Sequence, residues 1–299
     1  MSLVESSEAN EVSSPVPVIE TDDEGNTVSK TNGHSHSYFT NGHSATNGNG
    51  AITPSFIDSM SHLSVVRARD DWHVNGNTNG HVNAPPNMWT ILQKWIFALP
   101  TDTDAQRQKQ ALLQRELEEQ VKKLSQRPGL GKNGLVFAHC DLLCANVIIH
   151  RDGDAVPTVD FIDYEYATPS PAAFDVANHF AEWAGYDCDY SAVPRQDQRL
   201  AFVREYIKTY FSLTGETVDE EEEVRKLMEE VDAYRGVPGF YWGIWSQIQA
   251  VISQIDFDYA QYAELRLSEY WAFKGEDDGS RKASGEDMPL REQTWWRTE

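Results

Sequence analysis

Three short β-rich runs, Leu135-Val136-Phe137, Val147-Ile148-Ile149 and Val156 to Ile162, follow one another in a chain whose remaining apolar residues recur at helical spacing. Arg151-Asp152-Gly153-Asp154 reads as a hairpin turn between the last two runs. A strand group this small cannot bury a core by itself and has to be carried by helices. The candidates are in the pattern. Met88, Ile91, Leu92, Trp95 and Ile96 predict an amphipathic helix, and Leu113, Leu117, Val121 and Leu124 predict a second over about Asp104 to Gln126, stopped by Arg127-Pro128-Gly129. Further helices are predicted over Pro171 to Ala184, 197 to 213 and Glu220 to Arg235. Phe240 to Leu267 is an apolar-aromatic helical segment with a break near Asp256. The expected class is α+β, mainly helical. Core packing without chemistry accounts for the first two helices.

This foldable part, residues 84 to 275, is flanked by segments of another composition. Residues 1 to 83 are rich in Asn, Gly, Ser, Thr and His, with Asn-Gly-His-Ser at 32 to 35 and again at 41 to 44, and bury too little apolar surface to offset ordering entropy. They are expected to be a disordered tail, with one remnant helix at 64 to 73. Residues 276 to 299 turn polar again and are expected to be a flexible tail, in which Trp295-Trp296 has no evident partner. The formal charge of −22 repels nucleic acid and favours cationic small molecules wherever acids line a cleft. Three cysteines without a C-x-x-C pair, no signal peptide and no transmembrane segment point to a cytoplasmic protein.

The acids at the strand ends carry the chemistry. His139-Cys-Asp141 is followed five residues after the aspartate by Asn146, and, past the hairpin, Asp163 closes an apolar run. Phosphoryl transfer needs a carboxylate to orient and deprotonate the attacking hydroxyl, and oxygen ligands to hold Mg²⁺ on the phosphates of ATP. The order His-x-Asp-x-x-x-x-Asn and then Asp follows protein-kinase logic: Asp141 as base, Asn146 and Asp163 as metal ligands, and Glu165 as a contact to a second metal or to the first metal's surroundings. Asp175, on the following helix, is a candidate to hold the loop through its backbone N–H groups, and His139 reads as a buried scaffold residue. A metal-dependent hydrolase is the weaker reading, because no His or Cys cluster accompanies the acids.

A second constellation is aromatic. Trp242 and Trp245 lie three apart on one helix face, Tyr262 follows downstream, and Glu182-Trp183 precede them. Such a group forms a box for an ammonium ion, held by cation–π attraction and a carboxylate. Taken alone, the tryptophan pair is better explained as core packing.

Together these residues, His139-Cys-Asp141-Leu-Leu-Cys-Ala-Asn146, Phe161-Ile-Asp163-Tyr-Glu165-Tyr, Phe174-Asp175-Val-Ala-Asn178-His179-Phe, Glu182-Trp-Ala-Gly185 and Trp242-x-x-Trp245, resemble the choline/ethanolamine kinase family. The resemblance implies the C-terminal lobe of a kinase-like fold, ATP and Mg²⁺ as cofactors and an amino alcohol as substrate. It implies Asp141 as catalytic base, Asn146 and Asp163 as magnesium ligands, and Glu182, Trp242, Trp245 and Tyr262 as the ammonium site. One more tyrosine of the family's pocket corresponds to Tyr190 or Tyr186. A homodimer is compatible with it. Asp141-Leu-Leu-Cys and Glu182-Trp-Ala-Gly185 look more like ethanolamine than choline kinases.

The family also carries an N-terminal lobe with a phosphate-covering loop and a nucleotide-binding lysine. Here the only lysine before Lys94 is Lys30, inside the low-complexity tail, so no nucleotide lysine is found. Val65 to His73 resembles the last helix of that lobe. A catalytically impaired isoform or pseudokinase that serves as a binding subunit is therefore the alternative to an active kinase.

Overall fold

The computed structural model describes residues 86–298 except 132, 152, 154 and 155, together with residues 20–21 and 27–28. The chain divides into two units, Met1–Thr46 and Asn47–Glu299. In the first, Glu20–Thr21 (β1) pairs antiparallel with Thr27–Val28 (β2), a pair absent from the reading of 1 to 83 as a tail without regular structure. The remnant helix expected at 64 to 73 lies outside the described residues.

The second unit is mainly helical. Met88–Ala98 (α1) starts where Pro86 ends the preceding segment: Asn87 accepts from the backbone N–H groups of Trp89 and Thr90, and the Thr90 hydroxyl accepts from the Asn87 N–H, which satisfies donors a helix start leaves orphaned. Thr103 and Gln106 repeat this capping box at the start of Asp104–Leu124 (α2). The apolar stripes meet as the spacing requires, with Met88, Leu92 and Ile96 of α1 and Leu113, Leu117, Val121 and Leu124 of α2 all buried in one core.

Val136–Ala138 (β3), Val147–His150 (β4) and Thr158–Phe161 (β5) form where the β-rich runs lie. β4 and β5 are the expected hairpin, in register Val147↔Phe161 to His150↔Thr158. β3 pairs with a strand the sequence did not announce, Thr168–Ser170 (β6). Its central residue is Pro169, and a strand with one neighbour accepts proline because the missing N–H can face away from the ladder.

Ala172–Glu182 (α3), Gln196–Thr214 (α4), Glu220–Tyr234 (α5), Val237–Ile252 (α6) and Tyr259–Asp277 (α7) follow. The predicted break near Asp256 falls between α6 and α7, and Asp258 caps α7 by accepting from the Gln261 N–H. α6 and α7 pack tightly as an antiparallel pair. Glycines permit the approach: a Cβ on Gly239 would stand 2.6 Å from the Arg266 carbonyl oxygen, and one on Gly243 2.7 Å from Leu267 Cγ.

The flexible polar tail expected at 276 to 299 is a correction. Ser280–Ser284 (α8) and Leu290–Trp296 (α9) are helical, and Trp295 is 0 % exposed. The Arg199 guanidinium lies 4.0 Å from the centre of the Trp295 ring, the Trp295 Nε1–H donates to Asp232 Oδ1 at 2.8 Å, and the Trp295 carbonyl accepts from Arg199 Nη1 at 2.7 Å. The segment is polar because its charged residues pair with buried opposite charges, Arg291 with Glu269 on α7 and Glu292 with Arg235 at the end of α5, which local composition does not reveal. Among the described residues no helix is long and apolar enough to cross a membrane.

Candidate active site

The loop between β3 and β4 is short and held from one side. Asp175, Asn178, His179 and Glu182 recur at i, i+3, i+4 and i+7, so they form one polar stripe on the otherwise apolar α3. Asp175 takes the N–H of His139 on Oδ2 at 3.0 Å and that of Cys140 on Oδ1 at 2.8 Å. Asn178 donates through Nδ2 to the Cys140 carbonyl at 3.1 Å, and the His179 Nδ1–H donates to the Leu142 carbonyl at 2.8 Å. Cys140 meets these partners with φ 63°, a left-handed conformation that costs a non-glycine residue about 1–2 kcal/mol. Three hydrogen bonds from α3 to its own and the adjoining backbone offset that strain.

His139 spans to the neighbouring strand: its Nε2–H donates to the Ile162 carbonyl at 2.8 Å, while the Ile162 N–H donates to the Asn146 carbonyl at 3.1 Å. These two bonds fix the loop that carries Asp141 and Asn146 against the end of β5, which carries Asp163. Asp163 is itself left-handed, with φ 63° and ψ 61°. The Asn146 Nδ2 donates to both the carbonyl oxygen and Oδ2 of Asp141, at 2.8 and 3.3 Å, which turns its Oδ1 away as a free acceptor.

Asp141 is buried, and its carboxyl is pushed up to about 8. Burial is the main cause, followed by the negative charges of Glu182, Asp163 and Glu165; the Asn146 hydrogen bond works the other way. Glu165, exposed at the rim, is likewise raised by partial burial and by Asp163. Among the described residues no group of three or more His, Cys, Asp or Glu side chains is placed to hold a metal ion. A set of two carboxylates, Asp163 and Glu165, with the amide oxygen of Asn146 suits Mg²⁺, which keeps several waters and takes few protein oxygens. The mutual repulsion of Asp141, Asp163 and Glu165 is what a divalent cation would relieve.

The aromatic group is larger than the sequence reading had it. Trp242 and Trp245 meet edge to face at 5.5 Å, and Tyr166 stands edge-on to both, at 5.4 and 6.4 Å. The Trp245 Nε1–H donates to the Tyr166 hydroxyl at 3.0 Å, and the Trp242 Nε1–H to Asn178 Oδ1 at 2.9 Å. Tyr259 meets Trp245 at 5.7 Å, and Phe257 links Tyr259 to Tyr262 at 4.8 and 5.5 Å. Of the two tyrosines left open, Tyr186 joins this group, 6.2 Å from both Tyr262 and Phe257, and its hydroxyl is pushed up to about 12 by burial and by the charges of Asp141 and Glu182. Tyr190 instead donates to Glu269 at 3.4 Å.

Glu182 and Tyr262 do not stand free for a ligand. Arg266 Nη1 donates to Glu182 Oε1 at 3.0 Å and to the Tyr262 hydroxyl at 2.9 Å. Tyr166, Phe257 and Tyr259 were missed, together with Arg266. The signal for Tyr166 was its place three residues after Asp163 and one after Glu165; for Phe257 and Tyr259 it was aromatic density at a helix break.

A family model described as choline/ethanolamine kinase matches residues 62–271. A probable ethanolamine kinase of Nematostella vectensis is 43% identical over 159 residues, which cover 52% of this chain and 45% of that one. Ethanolamine kinase 1 of Mus musculus is 36% identical over 202 residues, covering 64% and 53%. The solved structure of a Plasmodium vivax ethanolamine kinase aligns with a TM-score of 0.50 at 28% identity, over 62% of this chain and 50% of that one. The chain thus spans about half the length of the curated relatives it matches. With the loop, the metal-competent acids and the aromatic group in one place and a family match over most of its length, the chain belongs to the choline/ethanolamine kinase family.

Proposed function

We propose that this chain carries the base, the metal ligands and the amino-alcohol pocket of a cytoplasmic, ATP-dependent ethanolamine kinase, which transfers the γ-phosphoryl group of ATP to the hydroxyl of ethanolamine. One observation carries the reading: Asp141 lies close enough to Asp163, Glu165 and Glu182 for all three charges to act on its carboxyl. It stands at the junction of a metal set and an ammonium box, where a hydroxyl two carbons from an ammonium would be presented.

The residues divide the work. Asn146 occupies Oδ2 of Asp141, which leaves Oδ1 to accept the substrate hydroxyl. With its carboxyl near 8, Asp141 holds a proton in the empty site at neutral pH; a cation on either side favours the carboxylate and makes it a base. Asp163 and the free Oδ1 of Asn146 would hold Mg²⁺, with Glu165 beside them. Bound Mg-ATP supplies the phosphoryl group and the positive charge that offsets these acids. Ile149, Val159 and Phe161 share one face of the hairpin and are exposed next to the metal set, an apolar surface of the kind a purine covers. Tyr166, Trp242, Trp245 and Tyr259 present π-faces and edges to the ammonium.

Ethanolamine is favoured over choline by the Glu182-Trp-Ala-Gly185 and Asp141-Leu-Leu-Cys segments and by similarity to several ethanolamine kinases. The second reading, a subunit that binds the amino alcohol without catalysis, is favoured by the lack of any lysine between Lys30 and Lys94. Calorimetry separates them. Ethanolamine binding that Trp245→Ala weakens about 10- to 30-fold is expected under both, the loss matching a desolvated cation–π contact of about 2 kcal/mol. Mg-ATP-dependent formation of phosphoethanolamine that Asp141→Ala abolishes supports the kinase alone. No ethanolamine binding by the chain refutes both.

A further inference from the structure

Arg266 is the near end of a chain of buried charges that runs away from the pocket into the C-terminal helix. Its Nη1 holds Glu182 and Tyr262 at 3.0 and 2.9 Å, and its Nε lies 3.3 Å from Glu269 Oε1. The other oxygen of Glu269 is 3.7 Å from Arg291 Nε, Arg291 Nη1 donates to Glu292 Oε1 at 3.0 Å, and Glu292 Oε2 accepts from Arg235 Nε at 2.9 Å. The signs alternate along the whole line: Glu182, Arg266, Glu269, Arg291, Glu292, Arg235. Every one of these side chains is at most 9% exposed. Screening by water and salt is therefore weak, and a charge removed at one link is felt at the next.

The grip of Arg266 is shared, not saturated. Its Nε and Nη2 are buried without a hydrogen-bond partner, so the attraction to Glu269 is one of charge rather than of aligned donors. How strongly Arg266 is drawn to Glu182 thus depends on how much of its charge Glu269 compensates, and that in turn on Arg291. Glu182 also acts on Asp141, as the largest of the charges raising its carboxyl.

We propose that this line of alternating charges sets the negative potential of the ammonium pocket, with Arg266, Glu269 and the C-terminal Arg291 as positioning residues that tune how much of the Glu182 charge is left to meet a cationic substrate. The proposal rests on the ammonium-pocket reading above and deepens it, since it assigns a role in substrate affinity to a helix, α9, whose residues are absent from the pocket.

The physics fixes the sign of each perturbation. Glu269→Gln removes a negative charge, frees Arg266 to neutralise Glu182 and makes the pocket more positive, so ethanolammonium binding weakens, by about tenfold for one unit charge at an effective dielectric constant near 20. Arg291→Gln removes a positive charge one link further out, lets Glu269 take more of Arg266 and makes the pocket more negative, so binding tightens, by about threefold at the greater distance. A purely structural role predicts that both changes weaken binding. The test is calorimetric titration of the 299-residue chain and its variants with ethanolammonium chloride at pH 7, with folding checked by circular dichroism. Opposite shifts for Glu269→Gln and Arg291→Gln are the expected result; shifts of the same sign, or none, overturn the proposal. Should Arg291→Gln not fold, Arg235→Gln, the outermost cation, carries the same predicted sign and decides in its place. The two readings fail differently. A wild-type chain that binds no ethanolammonium removes the pocket and this proposal with it. Wild-type binding that Trp245→Ala weakens, with no opposite shifts, removes this proposal alone.

Discussion

Asn178 is 0 % exposed and joins the loop to the aromatic group, Nδ2 donating to the Cys140 carbonyl at 3.1 Å and Oδ1 accepting from Trp242 Nε1 at 2.9 Å. Asn178→Ala leaves a buried carbonyl and a buried indole N–H without partners. At about 1–3 kcal/mol for each orphaned group, the variant is expected to lose about 2–5 kcal/mol, and the loss should appear as a lower urea midpoint at unchanged slope. Asn178→Asp is the sharper test because it is nearly isosteric. Protonated, its hydroxyl can still donate to the Cys140 carbonyl while the other oxygen accepts from Trp242. Ionised, it places a buried negative charge against that carbonyl, near Asp175 and Asp141. Burial and these neighbours raise the folded-state pKa of the new carboxyl above its unfolded value near 3.9. The folded protein then binds more protons than the unfolded one through the interval between the two values, so stability falls as pH rises across it. Relative to wild type, Asn178→Asp should be close to neutral near pH 5 and lose several kcal/mol near pH 8, measured by urea unfolding of both proteins at each pH. An equal difference at the two pH values, or an alanine variant within 0.5 kcal/mol of wild type on the scale of that orphaning cost, would show that the bridge does not hold the loop.

Trp295→Ala should destabilise the second unit by about 3–5 kcal/mol, as expected for a fully buried large aromatic, with thermal unfolding as the check. A loss below 1 kcal/mol on that scale would mean the C-terminal helix does not pack as described. Gly243→Ala drives a methyl group to 2.7 Å from Leu267 Cγ and should cost about 1–3 kcal/mol by overpacking, seen in the urea midpoint. Because the Asp141 carboxyl is raised to about 8, ethanolamine binding without metal should strengthen as pH rises from 6 towards 8 and release a proton, which calorimetry in buffers of different ionisation enthalpy detects; Asp141→Asn should flatten that dependence.

The loop that carries Asp141 and Asn146 was legible because its residues are neighbours in sequence. Asp141, Asn146 and Asp163 sit at ends of strands that β-branched runs announce, and Asp175 falls on the helical face that turns back towards them. The pocket was half legible. Trp242 and Trp245 share a helix face by simple periodicity, but Tyr166 enters from the turn after Asp163, and Phe257 and Tyr259 from the break between two helices, where no period points a side chain anywhere. Arg266 could not be foreseen as the partner of Glu182, since 84 residues separate them and ion pairing over that distance leaves no local trace. The same reason hid the C-terminal helix: Arg291 and Glu292 look solvated by composition, and their burial depends on opposite charges on α5 and α7. Pro169 concealed β6 for the opposite reason, a local signal against a strand that a two-stranded pairing overrode.

The glycine contacts between α6 and α7 have a bearing on the size of ligand that the proposed ammonium pocket would take. Trp242 and Trp245 stand on one of these helices and Tyr259 and Tyr262 on the other, so the distance across the aromatic group is a helix spacing, set where Gly239 touches the backbone of Arg266 and Gly243 touches Leu267. A pocket gauged in this way does not widen by bending a loop. To admit a bulkier ammonium, the chain would have to shorten a side chain or move a whole helix, and only the first of these leaves the core intact.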